Sequence, residues 1–225
     1  PEGLPAAVSV AFALGMRRLL GHHVLAKKLS AVETLGSVSI ICSDKTGTIT
    51  KNELTVTQVV LGTTAYQVSG VGYAPEGEFS LNGKPINATE LPGGEMLFRI
   101  GALCNSASLV SEKGEYSILG DPTEGAILVA TRKYNAKQGF FERGNRKILE
   151  LPFASERMRM SVAYQDGITA SYVKGSPDAI LPLATHWLTP EGRLPFTTED
   201  RVMVQSIYDK LSSQALRVLA FAYRD

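Results

Sequence analysis

Cysteine is scarce: Cys42 and Cys104 are the only two in 225 residues. Two thiols in apolar stretches make neither a disulfide scaffold nor, alone, a four-ligand zinc site, and they point to a reducing compartment. An excess of either charge is missing too, since 23 Lys and Arg face 22 Asp and Glu, a formal +1. That balance excludes the clustered, uncompensated cations of a nucleic-acid stripe. No basic segment precedes an apolar stretch in the manner of a secretory signal. Internal repeats and low-complexity segments are absent. What is present, 44% hydrophobic and 20% charged residues, suffices for a core and excludes a wholly disordered tail.

The length suits one domain, or one domain plus part of another. The chain opens at Pro1 and stops at Asp225 directly after an apolar, strand-like run, so both ends read as cuts in a longer protein. Leu4 to Met16 is an apolar run of 13 residues that ends in Arg17 and Arg18, shorter than the ~20 residues of a full membrane span. It reads either as a buried helix or as the remaining half of a transmembrane helix with its arginines at the cytoplasmic edge. Glu2, set among Pro1, Gly3 and Pro5, favours the second reading. A carboxylate beside a broken helix at membrane depth is costly unless it binds something, which makes Glu2 a candidate ligand of a transported cation.

A link from Gly21 to Lys28 leads to Ser30-Ala31-Val32-Glu33, a capping-box pattern that opens a short helix closed by Gly36. Val38 to Cys42 is β-branched and apolar, and predicts a buried strand with Asp44 at its carboxyl end. Strands are expected at Leu54–Val60 and Thr64–Ser69, then a loop from Gly70 to Pro92. Met96, Leu97, Ile100, Leu103, Cys104 and Ala107 recur at helical spacing. A second helix starts at Asp121-Pro122; strands follow at Ile148–Leu151, Met160–Tyr164 and Ile168–Val173, with Asp166-Gly167 as a tight turn. Helices open at Ser176-Pro177 and Thr198, and Arg217 to Tyr223 is a last strand. This pattern predicts an α+β fold, a largely antiparallel twisted sheet with flanking helices.

The strongest chemical signal is Asp44-Lys45-Thr46-Gly47-Thr48-Ile49-Thr50. A carboxylate at a strand's carboxyl end faces the crevice where open α/β sheets bind ligands. Asp44 can attack a γ-phosphate and hold it as an acyl phosphate, which splits one difficult hydrolysis into two steps. Lys45 and the Thr48 hydroxyl can contact phosphoryl oxygens, and Gly47 lets the backbone approach. Repulsion between carboxylate and triphosphate calls for magnesium on oxygen ligands such as the Asp44 carboxylate.

The loop resembles that of the P-type ATPases, cation pumps whose phosphorylated segment reads Asp-Lys-Thr-Gly-Thr, and the resemblance covers essentially the whole chain. Pro1-Glu2-Gly3-Leu4-Pro5 is similar to the ion-binding break in the fourth membrane helix of calcium-type pumps, and Val32-Glu33-Thr34-Leu35-Gly36 to the segment leading into the phosphorylation strand. The resemblance implies that Asp44 is phosphorylated and that the Thr46 backbone helps it hold magnesium. The related phosphatases carry an acidic residue at position 46 as general acid, so a threonine implies slower loss of phosphate.

Lys174-Gly175-Ser176-Pro177-Asp178 is similar to the family's Lys-Gly-Ala-Pro-Glu loop. The resemblance places Lys174 in the adenosine pocket, with Gly175 letting the base come close. Phe153, within Leu151-Pro152-Phe153-Ala154-Ser155-Glu156-Arg157, resembles the aromatic that stacks on adenine, and Arg157 falls in the same segment. Gly120-Asp121-Pro122-Thr123-Glu124 resembles the acidic loop beside the nucleotide; the same residues also fit an ordinary helix cap. Arg217-Val218-Leu219 matches the Arg-x-Leu near the domain's end, with Arg217 forking onto phosphate oxygens. Where many pumps carry a lysine five residues after the aromatic, this chain has Met158. Strand alternation would turn Arg157 and Arg159 to the opposite face, so either another cation substitutes or nucleotide binding is weaker.

These readings divide the chain into half of a transmembrane helix (1–18), a stalk with a short helix (19–36), the first strand and phosphorylation loop of an incomplete Rossmann-like α/β domain (37–53), and an inserted nucleotide-binding domain (54–225). The function implied is ATP binding and aspartyl-phosphate formation in a cation pump, with calcium as the transported ion, membrane-bound and mostly on the cytoplasmic side. Its partners would be ATP, magnesium, the cation and the pump's remaining domains, without nucleic acid. The chain by itself would bind nucleotide without completing turnover. Two other readings share part of the pattern: a soluble aspartyl phosphatase with a large cap domain, and a nucleotide-binding module without catalysis.

Overall fold

The computed structural model describes residues 3–134, 141, 146–166, 168–189 and 191–225. Contacts divide the chain into two compact units, Pro1–Lys51 and Asn52–Asp225.

The first unit is helical. Helix α1, Leu4–Gly21, continues past the 13-residue apolar run because Arg17 to Leu20 are all good helix formers. Its 18 residues, none of them buried, are apolar and long enough to cross a membrane by length and composition. Helix α2, Leu29–Gly36, starts one residue before the expected cap: Lys28 is the N-cap, and no side chain caps this end. Ser30 lies inside the first turn, so the expected capping box does not form. Val38 to Cys42 is irregular and open to solvent, with Ile40 79% and Ile41 86% exposed. The expected buried strand is absent here because a strand needs a neighbour, and among the described residues no strand pairs with this segment. Glu2 lies outside the described residues.

The second unit carries all the described strands, in four antiparallel sheets. Strands β1 (Gln58–Leu61), β2 (Thr64–Val68), β3 (Phe79–Leu81) and β4 (Lys84–Ile86) form the first. The β3–β4 hairpin occupies the stretch expected to be loop, turning at Asn82 (φ 52°) and Gly83 (φ 76°). Helix α3 (Gly94–Leu103) precedes the hairpin β5 (Ser108–Glu112) and β6 (Glu115–Leu119), and helix α4 (Pro122–Tyr134) follows. Strands β7 (Arg146–Ala154), β8 (Arg159–Asp166) and β9 (Ile168–Gly175) come next. Asp166 pairs with Ile168, while Gly167 lies outside the described residues. Helix α5 (Pro177–Ile180) is one turn long. Hairpin β10 (His186–Thr189) and β11 (Gly192–Pro195), helix α6 (Thr198–Ser213) and strand β12 (Ala220–Arg224) complete the unit. The larger sheet runs β12-β9-β8-β7. The α+β expectation of antiparallel sheets with flanking helices therefore holds.

Helix α3 is the keystone, since its two faces serve two cores. Phe98 and Ala102 pack with Val59, Tyr66, Val68 and Phe79 of the first sheet. Ile100, Leu103 and Cys104 pack on Met160, Val162 and Tyr172 of the larger one. Helix α4 is buried from Gly125 to Thr131, with Ala130 in the first core, and a hydrogen bond between Glu124 in its first turn and Lys174 ties its start to β9. Helix α6 has a full capping box one residue before the expected start. The Asp200 N–H donates to Thr197 Oγ1 at 3.2 Å, and the Thr197 N–H to Asp200 Oδ2 at 2.8 Å.

Candidate functional site: charged residues at the end of α4 and β9

Lys174 is the penultimate residue of β9, where it pairs across the sheet with Met160 and with Phe221. Alternation puts it on the same face as Met160 and Val162, the face that α3 covers. The lysine is 7% exposed. A buried ammonium needs a partner, and Glu124 in the first turn of α4 supplies one: Lys174 Nζ donates to Glu124 Oε1 at 2.8 Å. The second oxygen, Oε2, accepts the Ser106 N–H at 2.9 Å. Asn105 Nδ2 donates to the Glu124 carbonyl at 2.9 Å. One carboxylate thus joins α4, β9 and the loop after α3.

Asp121 sits immediately before α4 and accepts the N–H groups of Thr123 (2.8 Å) and Glu124 (3.2 Å) at Oδ1. Burial works against its charge. The Thr123 hydrogen bonds, the Glu124 N–H and the Arg217 cation outweigh it and hold the carboxyl below its ordinary range. The helix-cap reading of Asp121 is therefore correct, and it does not compete with a polar site, because the same carboxylate lies within the field of Arg217. Tyr73 also feels Asp121; burial, Glu53 and Asp121 push its hydroxyl up. Beneath Lys174, Cys104 is fully buried, and burial pushes its thiol up to about 11, with Lys174 pulling down and Glu124 pushing up. Ser106 Oγ reaches Glu150 Oε1 at 3.4 Å, and Glu150 pairs with Lys147 at 2.7 Å.

Phe153 is 60% exposed, so it is no core residue. It lies where β7 slips register against β8, between Leu151 and Ala154. Arg157 Nη2 donates to the carbonyl of Pro152 at 2.6 Å and pins this irregularity. The expected alternation of Arg157, Met158 and Arg159 does not occur: β8 begins at Arg159, and Met158 is in a turn with a left-handed φ of 50°. The strand rule has no hold on a turn, and Arg157 is spent on its own backbone.

Gly175 is required by the fold itself. A Cβ there would lie 2.4 Å from the Met158 carbonyl oxygen and 2.7 Å from Arg159 Cα, while the Ser176 N–H donates to that same carbonyl at 2.9 Å. Gly175→Ala is expected to cost about 1–3 kcal/mol by overpacking backbone against backbone. Urea unfolding checks it, with the midpoint falling and the slope unchanged. Leu219 is half-buried and, like Arg217, precedes β12.

The loop Asp44 to Thr50 belongs to the first unit. Asp44, Lys45, Thr46 and Thr48 are all exposed, so the carboxylate is open to attack or be attacked. Gly47 has φ 72°, a left-handed turn that suits glycine. Among the described residues no cluster of three His, Cys, Asp or Glu could hold a metal ion. The Asp44 carboxylate and Thr46 carbonyl are nonetheless hard oxygen donors of the kind magnesium takes through one or two protein ligands, water and phosphate filling the rest.

Asn105, Ser106, Glu150 and Tyr73 were missed from the sequence. Only Asn105, a helix-ending residue after the apolar period of α3, carried any local signal.

Known proteins place the chain. The family model described as P-type ATPase, cytoplasmic domain N, matches residues 94–225. A calcium-transporting ATPase of Bacillus subtilis is 42% identical over 226 residues, covering 100% of this chain and 25% of that protein. A cation-transporting ATPase, pma1, of Synechocystis is 37% identical, covering 99% of this chain and 25% of its own length. The calcium-transporting ATPase type 2C member 1 of Bos taurus is 36% identical, with 99% and 23% covered. The chain spans about a quarter of the length of these relatives.

Proposed function

Because the chain belongs to the P-type ATPases, we propose that its second unit binds ATP at the Asp121–Glu124–Lys174–Arg217 cluster and that Asp44 in its first unit accepts the γ-phosphoryl group. One observation carries the reading: a buried lysine held at the end of a strand by a single carboxylate, beside a helix-capping aspartate and an exposed arginine. A fold gains little from such an arrangement, since a buried ion pair barely offsets its own desolvation. A ligand that needs a positioned cation gains much.

The residues divide the work by chemistry. Phe153 offers an exposed ring on which a purine can stack, a contact worth about 1–3 kcal/mol in single-strand nucleic-acid binders. Asp121 and Glu124 accept from an exocyclic amine. Lys174 donates to the nucleoside, and Arg217 forks onto phosphate oxygens. At Asp44 a carboxylate oxygen attacks the γ-phosphorus, the bond to the β–γ bridging oxygen breaks, and ADP leaves. Water later attacks the same phosphorus and frees inorganic phosphate and the carboxylate. Lys45 and Thr48 hold the phosphoryl oxygens, and Thr46, which cannot act as a general acid, keeps the acyl phosphate long-lived. Magnesium, with the Asp44 carboxylate and the Thr46 carbonyl among its donors, would neutralise charge there.

In the whole protein this chemistry drives a cation across a membrane, and the calcium-transporting relatives make calcium the leading ion. Residues 1–18 are then membrane helix, 19–36 stalk, 37–53 the start of the phosphorylation domain, and 54–225 the nucleotide-binding domain, on the cytoplasmic side. Calorimetric titration of the 225-residue chain tests the binding step. The expected result is weak ATP binding that Lys174→Ala or Phe153→Ala reduces at least about tenfold. No heat up to several millimolar ATP removes the pocket.

A further inference from the structure

The connection between β2 and β3, residues 69–78, is ten residues long, where the common hairpin loops need about two to five. Its neck is closed. The Ser69 N–H donates to the Glu78 carbonyl at 3.0 Å, and the Glu78 N–H to Ser69 Oγ at 2.8 Å. From the end of α4, Lys133 Nζ donates to the Ser69 carbonyl at 2.7 Å. Gly70 is left-handed at φ 88°, and a Cβ there would strike the Glu76 carbonyl. These contacts give the connection one shape, that of a compact Ω-loop. Its tip lies on the first residues of the second unit. The Gly72 N–H donates to Thr55 Oγ1 at 3.1 Å, and a Cβ on Gly72 would be 3.1 Å from Glu53 Oε2. The Tyr73 hydroxyl reaches the Asn52 carbonyl at 3.5 Å, and Asn52 is itself left-handed at φ 56°. Burial, Glu53 and Asp121 push that hydroxyl up, and the Leu54 N–H pulls it back. One loop, anchored at its base by α4, thus grips the segment by which the chain enters the unit, within the field of the aspartate that caps α4.

We propose that Tyr73 is a positioning residue for phosphoryl transfer: its loop straps residues 52–55 to the second unit and fixes the joint through which ATP is brought to Asp44. Asn52 stands eight positions after Asp44. Free backbone at that point would spread the γ-phosphate over many positions, and a misplacement of about 1 Å is enough to lose roughly 100-fold in rate. The strap removes this freedom on the side of the second unit. Packing gives no other reason for it. The first core contains no residue from 69 to 78 except Phe79's neighbouring strand, and Asn52, Glu53 and Leu54 are exposed, so the grip buries little. The inference rests on the reading of ATP and Asp44 given above and adds to it a residue that acts through the linking segment.

The test measures the rate of acid-stable labelling of the full-length protein by γ-labelled ATP with rapid quench. Tyr73→Phe and, from the other side of the contact, Thr55→Val should each slow labelling at saturating ATP about threefold, and together about tenfold, the effect of one and of two modest hydrogen bonds. ATP affinity, from calorimetric titration of the 225-residue chain with the same substitutions, should stay within about twofold. Decay of the label after a chase of unlabelled ATP, in which water attacks at Asp44 and no nucleotide is delivered, should not change. Labelling as fast in the double variant as in the unaltered protein overturns the proposal. So does slower labelling that weaker ATP binding accounts for, or decay slowed to the same extent, since the loop is then a nucleotide contact or a plain structural element. An unaltered protein that binds ATP and takes no label overturns the reading of Asp44 and the proposal with it.

Discussion

Glu124→Ala is expected to destabilise the second unit by about 3–5 kcal/mol, the cost of leaving a buried charge uncompensated. Lys174 is 8% and Glu124 16% exposed at the side chain, so solvent cannot take the carboxylate's place without local opening. The change also strips the Ser106 N–H of its acceptor. Replacing both charges by apolar groups of similar size, Glu124→Leu with Lys174→Met, should recover most of the lost stability, because desolvation disappears together with the attraction. ATP binding should not return. Urea unfolding together with ATP titration of the single and double variants separates the two roles. A double variant that is stable and still binds ATP as tightly as the unaltered chain would assign the pair to structure alone.

The second large effect concerns the other unit. In the full-length protein, Asp44→Asn should abolish the covalent phosphoenzyme, since an amide lacks the anionic oxygen that attacks phosphorus. Incubation with γ-labelled ATP and acid quench should label the unaltered protein, and hydroxylamine, which cleaves acyl phosphates, should remove the label. Repeating the incubation over a panel of cations identifies the transported ion, with calcium expected to drive labelling. Asp44 is exposed and makes no side-chain cap bond, so the substitution should leave folding and nucleotide binding unchanged. Label that survives Asp44→Asn would move the chemistry to another residue.

Local patterns carried much of the second unit. The period of α3, the Asp121-Pro122 start of α4 and the Thr-rich start of α6 are all helix signals written within a few residues, and each produced its helix. The hairpins β3–β4, β5–β6 and β10–β11 went unread although their turns are local too: Asn82-Gly83 and Lys113-Gly114 are adjacent left-handed pairs. Their strands run only three to five residues, too short for alternation to stand out. Val38 to Cys42 shows the opposite failure. Its residues favour a strand, but pairing is a tertiary property that no apolar run supplies for itself. The site was legible as separate motifs and illegible as a network. Glu124 and Lys174 are 50 positions apart, and their bond depends on α3 bringing the α4 terminus to the end of β9. Met158 eluded the strand rule because a single left-handed residue ends alternation, and nothing in methionine announces one.

The proposed nucleotide site lies at the end of the second unit, where α4, β9 and the segment before β12 meet. Backbone NMR of the chain, titrated with ATP, tests it most directly. The expected result is shifts concentrated at Asp121–Glu124, Phe153, Lys174–Ser176 and Arg217, saturating in the millimolar range. Shifts gathered instead in the depression lined by Asp178, Leu181, Pro182, Arg201 and Gln205, or none at all, would contradict it.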